Sequence, residues 1–230
     1  MPFHFSTSYN SHTDPPLSSC GSSPGTSPAH MAAARSLAET FHANNIKLIF
    51  GGGTKGIMGE VARSLVALSG PSSVEGIIPA ALLSYERTNG TPETPSAKKA
   101  RETIDESTYG HTTVVRDMHT RKALMAEHVK RGAKGSGFVT LSGGYGTLEE
   151  LMEMTTWNQL GIHGLPVVVF NVEGYWDGLL AWVRGAVESG FVGEGNRGII
   201  VEAGSGGEGG AGLRGYRVAE GRFALEWEGR

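Results

Sequence analysis

Cysteine is almost missing from this 230-residue chain. Cys20 stands alone, which excludes an intrachain disulfide and a thiolate metal cluster, and its Ser-Cys-Gly-Ser-Ser setting reads as a small packing residue at a strand end. No metal site is expected. Long apolar runs are missing too: nowhere do about 18 such residues follow one another, and the start, Met-Pro-Phe-His-Phe-Ser-Thr-Ser, has no basic stretch leading into an apolar core. A soluble, cytoplasmic protein without a membrane partner is the expectation. Charge of one sign is scarce, with a net of −3 and no long basic run, so a nucleic-acid polymer is not the expected partner. Single phosphates remain possible.

What the chain has in abundance is glycine, 35 residues, about twice the usual share of roughly 7%. Many close an apolar run and precede a helical pattern. The length suits one α/β domain with a full core. Residues 1–17 are polar and are left without regular structure, 18–203 form the domain, 86–110 a long loop within it, and 204–230 a glycine-rich tail.

The chain is organised around Leu141-Ser-Gly-Gly-Tyr-Gly-Thr-Leu-Glu-Glu150. The apolar run 137–141 leads in, and Leu148, Leu151, Met152, Thr155 and Leu160 follow at helical spacing, so the stretch reads as strand, glycine turn, helix. Glycines 143, 144 and 146 leave main-chain amides uncovered where a helix start directs unpaired N–H groups, an arrangement suited to phosphate. Glu150 places a carboxylate in the first helical turn. The same spacing also fits a capping box from Thr147 to Glu150, and the two readings stand side by side.

The unit repeats. Gly21, Ser22 and Ser23 end a short first strand, and Ser27-Pro28 opens a helix to about Ala43. Strand 46–50 runs into Gly51-Gly-Gly-Thr-Lys-Gly-Ile-Met-Gly59, then a helix to Gly70 and strand 74–78. The turn matches neither a Walker loop nor a dinucleotide fingerprint, since Thr54-Lys55-Gly56 is in the wrong order and Pro79 stands where an acidic residue would follow the next strand. A polar stretch, 80–108, reads as a loop over the sheet edge. Strand 112–115 precedes a helix to about Lys130, with Arg121, Met125 and His128 on one face; Arg121 lies near the helix N-terminus, where a cation is disfavoured and seeks an anion. Lys122 points a quarter turn away and is expected to be solvated unless the ligand is large. Strand 166–171, a helix 175–187 and a last strand 199–201 complete a Rossmann-like, doubly wound parallel sheet with helices on both faces.

Six motifs stand in one order: Ser19-Cys-Gly-Ser-Ser, the turn 51–59, Met118-His-Thr-Arg-Lys, Gly143-Gly-Tyr-Gly-Thr-Leu-Glu-Glu, Thr156-Trp-Asn-Gln-Leu-Gly-Ile-His and Asn171-Val-Glu-Gly-Tyr-Trp-Asp. Over about 18–203 this resembles the Lonely Guy family of cytokinin riboside 5'-monophosphate phosphoribohydrolases, historically labelled lysine decarboxylases. The resemblance implies hydrolysis of the N-glycosidic bond of an N6-substituted adenosine monophosphate to free base and ribose 5-phosphate, by a homodimer or larger assembly with no organic cofactor. Arg121 and Glu150 match the family's catalytic pair. Lys122, Gly143, Gly144, Tyr145, Gly146, Thr147 and Thr156 match the nucleotide-contacting motifs, with Glu86 beside them, and Ser22, Gly52 and Gly53, in the other glycine turns, are expected to bind substrate as well, their open amides and hydroxyls sharing the phosphate.

No lysine has a setting that argues for a pyridoxal Schiff base. The chain departs from the family at Ser142, where proline is usual, in the glycine-rich loop ending at Gly137, in its weakly apolar first strand and in its tail. A broader nucleoside 5'-monophosphate glycosidase and a non-catalytic nucleotide-binding protein are the competing functions.

Overall fold

A computed structural model describes residues 17–88, 104–132, 135–204, 208–209, 212, 216–223 and 225. Segment 1–16 and most of the loop 86–110 lie outside the described residues. Seven strands, β1 Leu17–Ser19, β2 Leu48–Phe50, β3 Val74–Pro79, β4 His111–Val115, β5 Phe138–Thr140, β6 Val167–Phe170 and β7 Ile200–Ala203, form one sheet. Their order is β4-β3-β2-β1-β5-β6-β7 and every pairing is parallel.

Helices cover both faces because the strands are apolar on both. Helices α1 (Pro28–Ala43) and α2 (Gly56–Ser69) bury Leu37, Phe41, Val61 and Leu65 against one face, together with Phe50, Val139, Val168 and Phe170. On the other face, α5 (Met118–Lys130) and α6 (Tyr145–Gln159) supply Met125, Val129, Leu151 and Met154, packed on Ile49, Ile77, Val167 and Val169. Among the described residues no helix is long and apolar enough to cross a membrane.

The chain steps outward from β1 to β4 and then returns to place β5 on the other side of β1. Parallel strands flanking such a reversal send their following loops to opposite faces, opening a crevice at their carboxyl ends. Here that crevice lies between the loops after β1 and β5, where the Gly21 amide donates to the Ser142 carbonyl at 3.0 Å.

One sequence expectation changes. The stretch from Ala80 is helical, α3 (Ala80–Thr88), and a single turn, α4 (Glu106–Tyr109), capped by Asp105, precedes β4. The tail adds no strand among its described residues but packs on the end of α6: the Phe223 amide donates to the Gln159 carbonyl at 2.8 Å, and Arg222 Nε to the Asn158 carbonyl at 2.9 Å. Trp176 is buried, and Trp182 on the last long helix is 58% exposed in the single chain.

Candidate functional site

Arg121 and Glu150 meet across the sheet's carboxyl edge. The Asp117 side chain caps α5 by accepting the Thr120 amide at 2.7 Å, a contact that also holds its carboxyl below the ordinary carboxylate range. Arg121 therefore sits in the first turn of α5, and its Nη2 donates to Glu150 Oε1 at 2.5 Å with side chains only 9% and 14% exposed. The rest of the guanidinium rests on sulfur, Nε 3.4 Å from Met125 Sδ and Nη1 3.2 Å from Met118 Sδ. Thioethers accept weakly, so most of the arginine's donor capacity is not taken up by strong acceptors. The end of β2 makes room for it: a Cβ on Gly51 would stand 2.7 Å from Nη2.

The capping-box reading of Thr147 and Glu150 fails on geometry. Helix α6 starts at Tyr145 with Gly144 as its N-cap, the Leu148 amide donating to the Gly144 carbonyl at 3.0 Å. Thr147 is three residues inside, buried, and packed into the space beside Gly143, where a Cβ would come 2.1 Å from its Oγ1. Glu150 turns instead to Arg121. Among the described residues no acceptor engages the amides of Gly144, Tyr145, Gly146 or Thr147, and at Gly144 and Gly146 a Cβ would meet nothing within 4 Å. Neither glycine is demanded by protein packing. Both leave open space over a helix N-terminus, as an anionic ligand requires.

The turn after β2 is built differently. The second and third amides of α2 are taken by protein, Ile57 N–H by the Ser23 carbonyl at 3.4 Å and Met58 N–H by the Gly21 carbonyl at 3.0 Å. Gly52 has φ +74° and its missing Cβ would stand 2.9 Å from Ile78 Cβ, while the space beside Gly53 is filled by Met58 Sδ at 2.8 Å. These two glycines serve close packing. Glu86, on α3, accepts from Thr54 N–H at 3.0 Å and Thr54 Oγ1 at 2.8 Å, which anchors the turn beside Arg121. Ser22 is exposed at the mouth of the crevice, next to Gly21.

Lys122 is not solvated. Its side chain is 15% exposed, and Nζ lies 2.5 Å from Glu149 Oε1 and 3.2 Å from Glu153 Oε1. Burial opposes its charge, but the two carboxylates outweigh burial and raise its pKa. Thr156 is exposed on the helix face that carries Glu149 and Glu153, about 9 Å along the axis from Glu150, and is not among the partners of the Arg121–Glu150 pair. Tyr145 is 95% exposed at the rim. Among the described residues no three His, Cys, Asp or Glu side chains assemble as a metal site.

Sequence reasoning missed one group. After β6, Tyr175 donates its hydroxyl hydrogen to the Gly143 carbonyl, and His30 Nδ1 lies 3.0 Å from Ser142 Oγ. The ordered motif 171–177 was its only signal.

Residues 58–205 match the family model described as possible lysine decarboxylase. The chain is 54% identical over 173 residues to a bifunctional cytokinin biosynthesis protein of Fusarium pseudograminearum, covering 75% of this chain and 34% of that protein. It is 41% identical over 184 residues to cytokinin riboside 5'-monophosphate phosphoribohydrolase LOG1 of Arabidopsis thaliana, covering 80% and 75% of the two chains. The match to a probable enzyme of that name from Oryza sativa subsp. japonica, LOGL3, is 42% over 184 residues with the same coverage. The chain thus spans about a third of the fungal relative and three quarters of the plant ones. Among solved structures, the molybdenum cofactor carrier protein of Chlamydomonas reinhardtii shares the fold, with TM-score 0.59, 15% identity and coverage of 89% and 98%.

Proposed function

The chain belongs to the Lonely Guy family of cytokinin riboside 5'-monophosphate phosphoribohydrolases, and from that premise we propose that it hydrolyses the N-glycosidic bond of an N6-substituted adenosine 5'-monophosphate. The observation that carries this reading is the buried Arg121–Glu150 pair beside unengaged main-chain amides at the topological switch point. A carrier would need the amides but not the pair.

The proposed roles follow from charge. The α6 amides of Gly144, Tyr145, Gly146 and Thr147 receive the 5'-phosphate, with the Ser22 hydroxyl beside them, and so fix the ribose. The C1'–N bond breaks, its electron pair leaves with the base, and positive charge grows on the sugar, where the Glu150 carboxylate stabilises it. Water oxygen bonds to C1' and gives ribose 5-phosphate, while the base takes up a proton. Arg121 orients Glu150 and uses its remaining N–H groups on the nucleotide. Lys122 acts by fixing Glu149 and Glu153. Glu86 holds the turn that carries Gly51, and Gly52 and Gly53 shape it. Thr156 is left to the base side or to the site of a second subunit, since the family reading includes a homodimer or larger assembly, which light scattering on the purified chain tests.

The assay is incubation with isopentenyladenosine monophosphate, AMP and the riboside lacking phosphate, with free base quantified. Release from the substituted nucleotide and none from the riboside is expected. Rapid release from AMP alone would move the chain to a broader nucleotide glycosidase.

A further inference from the structure

We propose that Tyr175 is a positioning residue that sets the peptide plane between Gly143 and Gly144, and with it the direction of the first phosphate-binding amide. This rests on the phosphate site argued above. The motif that carries Tyr175, residues 171–177, has no other part in that site.

A trans peptide is planar, so its C=O and the following N–H point in opposite directions. Wherever the Gly143 carbonyl is held, the Gly144 N–H must point the other way. Two consecutive glycines impose little preference of their own on that plane, because neither has a Cβ to restrict rotation. The plane is instead fixed from outside. Tyr175 donates its hydroxyl hydrogen to the Gly143 carbonyl, and the Gly144 N–H, turned away from it, has no acceptor among the described residues. Around the base of the loop, Ser142 is held by the Gly21 amide at 3.0 Å and by His30 at 3.0 Å. Only the plane beyond Gly143 depends on Tyr175.

The ring is built to hold its place. It stands edge-on to His30 at 5.7 Å and to Trp176 at 5.0 Å, with interplanar angles of 80° and 89°. Its backbone comes out of a single tight turn in which Glu173, with φ +52°, adopts a left-handed conformation that is unfavourable for a residue with a side chain. Asn171 holds this turn. Its Oδ1 accepts the Trp176 amide at 2.7 Å, and its Nδ2 donates to Asp177 Oδ1 at 2.7 Å and Glu202 Oε1 at 2.6 Å. A strained, cross-braced loop that ends in one hydroxyl on one carbonyl fits a positioning function better than packing, since Tyr175 is 46% exposed.

Tyr175→Phe keeps the ring and its two edge contacts and removes only the hydrogen bond. Calorimetric titration with ribose 5-phosphate is expected to give about tenfold weaker binding than wild type, with the melting temperature within about 2 °C and binding of the phosphate-free base unchanged. In turnover, KM for the nucleotide rises by a similar factor while kcat stays within threefold. Asn171→Ala, which loosens the turn and retains the hydroxyl, is expected to fall between the two. Equal ribose 5-phosphate affinity in wild type and Tyr175→Phe would overturn the positioning role alone. Failure of wild type to bind ribose 5-phosphate would overturn the phosphate site with it.

Discussion

Gly51→Ala tests whether catalysis depends on where the Arg121 guanidinium lies. The added Cβ would stand 2.7 Å from Nη2 and 3.1 Å from Cζ, and the third nearest atom is Nε at 3.5 Å. All three belong to the flexible end of one side chain. Ordinary van der Waals contact begins at 3.4 Å, so the guanidinium must retreat by about 0.7 Å. That displacement is large beside the 2.5 Å contact with Glu150, and misplacing a reacting group by about 1 Å costs on the order of 100-fold in rate. We expect kcat/KM for the nucleotide to fall about 100-fold, equivalent to about 2.7 kcal/mol. Stability should barely change, because no backbone atom lies in the way and an alanine at a compatible position restricts the unfolded chain by about 0.4–1 kcal/mol. The melting temperature is expected to move by less than about 3 °C. Steady-state assay and thermal melting on the same preparation decide it. Activity within threefold of wild type would refute the reasoning, since the guanidinium could then shift without consequence.

Glu150→Gln and Arg121→Ala are each expected to lower base release by about 1,000-fold in a protein that still folds; a Glu150→Gln variant that melts early yet turns over normally would restore a structural role for this residue. Gly146→Ala should weaken nucleotide binding with no change in melting, because only a ligand fills that space, whereas Gly143→Ala should destabilise the fold, its Cβ meeting the Gly21 amide nitrogen at 2.9 Å and Thr147 Oγ1 at 2.1 Å. His163 gives a pH signature. Burial pushes its pKa down to about 4 in the folded protein, so between pH 6.5 and 4 the unfolded chain binds the extra proton and stability falls with pH, by about 3 kcal/mol once both forms are protonated. His163→Gln should flatten melting temperature against pH across that window.

Much of the fold could be read locally. Strand β5, the glycine turn and α6 follow from an apolar run, three glycines and helical spacing, and their repetition at β2 and α2 implied a parallel sheet. Ser27-Pro28 opened α1 as its sequence indicated, with Ser27 Oγ accepting the Ala29 amide at 3.2 Å. Helix α3 was misread because Ser84-Tyr-Glu-Arg-Thr is polar and runs into a proline-rich stretch, and because an edge helix with Leu82 39% exposed needs only a narrow apolar face.

The site was less legible, and its misreadings share a cause. Thr147 and Glu150 have the spacing of a capping box, but the cap passed to Gly144 once Thr147 found packing space beside Gly143. Lys122 looked solvated because its carboxylate partners, Glu149 and Glu153, come from another helix, and the α2 amides looked open to phosphate because the carbonyls of Gly21 and Ser23 reach them only in the folded sheet. In each case the local pattern left a group to solvent, to a ligand or to a neighbour in sequence, and the fold brought it a distant protein partner instead. The tertiary partner prevailed in all three, since a buried polar group left without it would cost about 1–3 kcal/mol. Between the two glycine turns, the amides of Gly144, Tyr145, Gly146 and Thr147 have no protein acceptor among the described residues, whereas Ile57 and Met58 at the start of α2 do. That asymmetry, rather than the count of glycine turns, distinguishes the phosphate end of the crevice from its merely structural copy after β2.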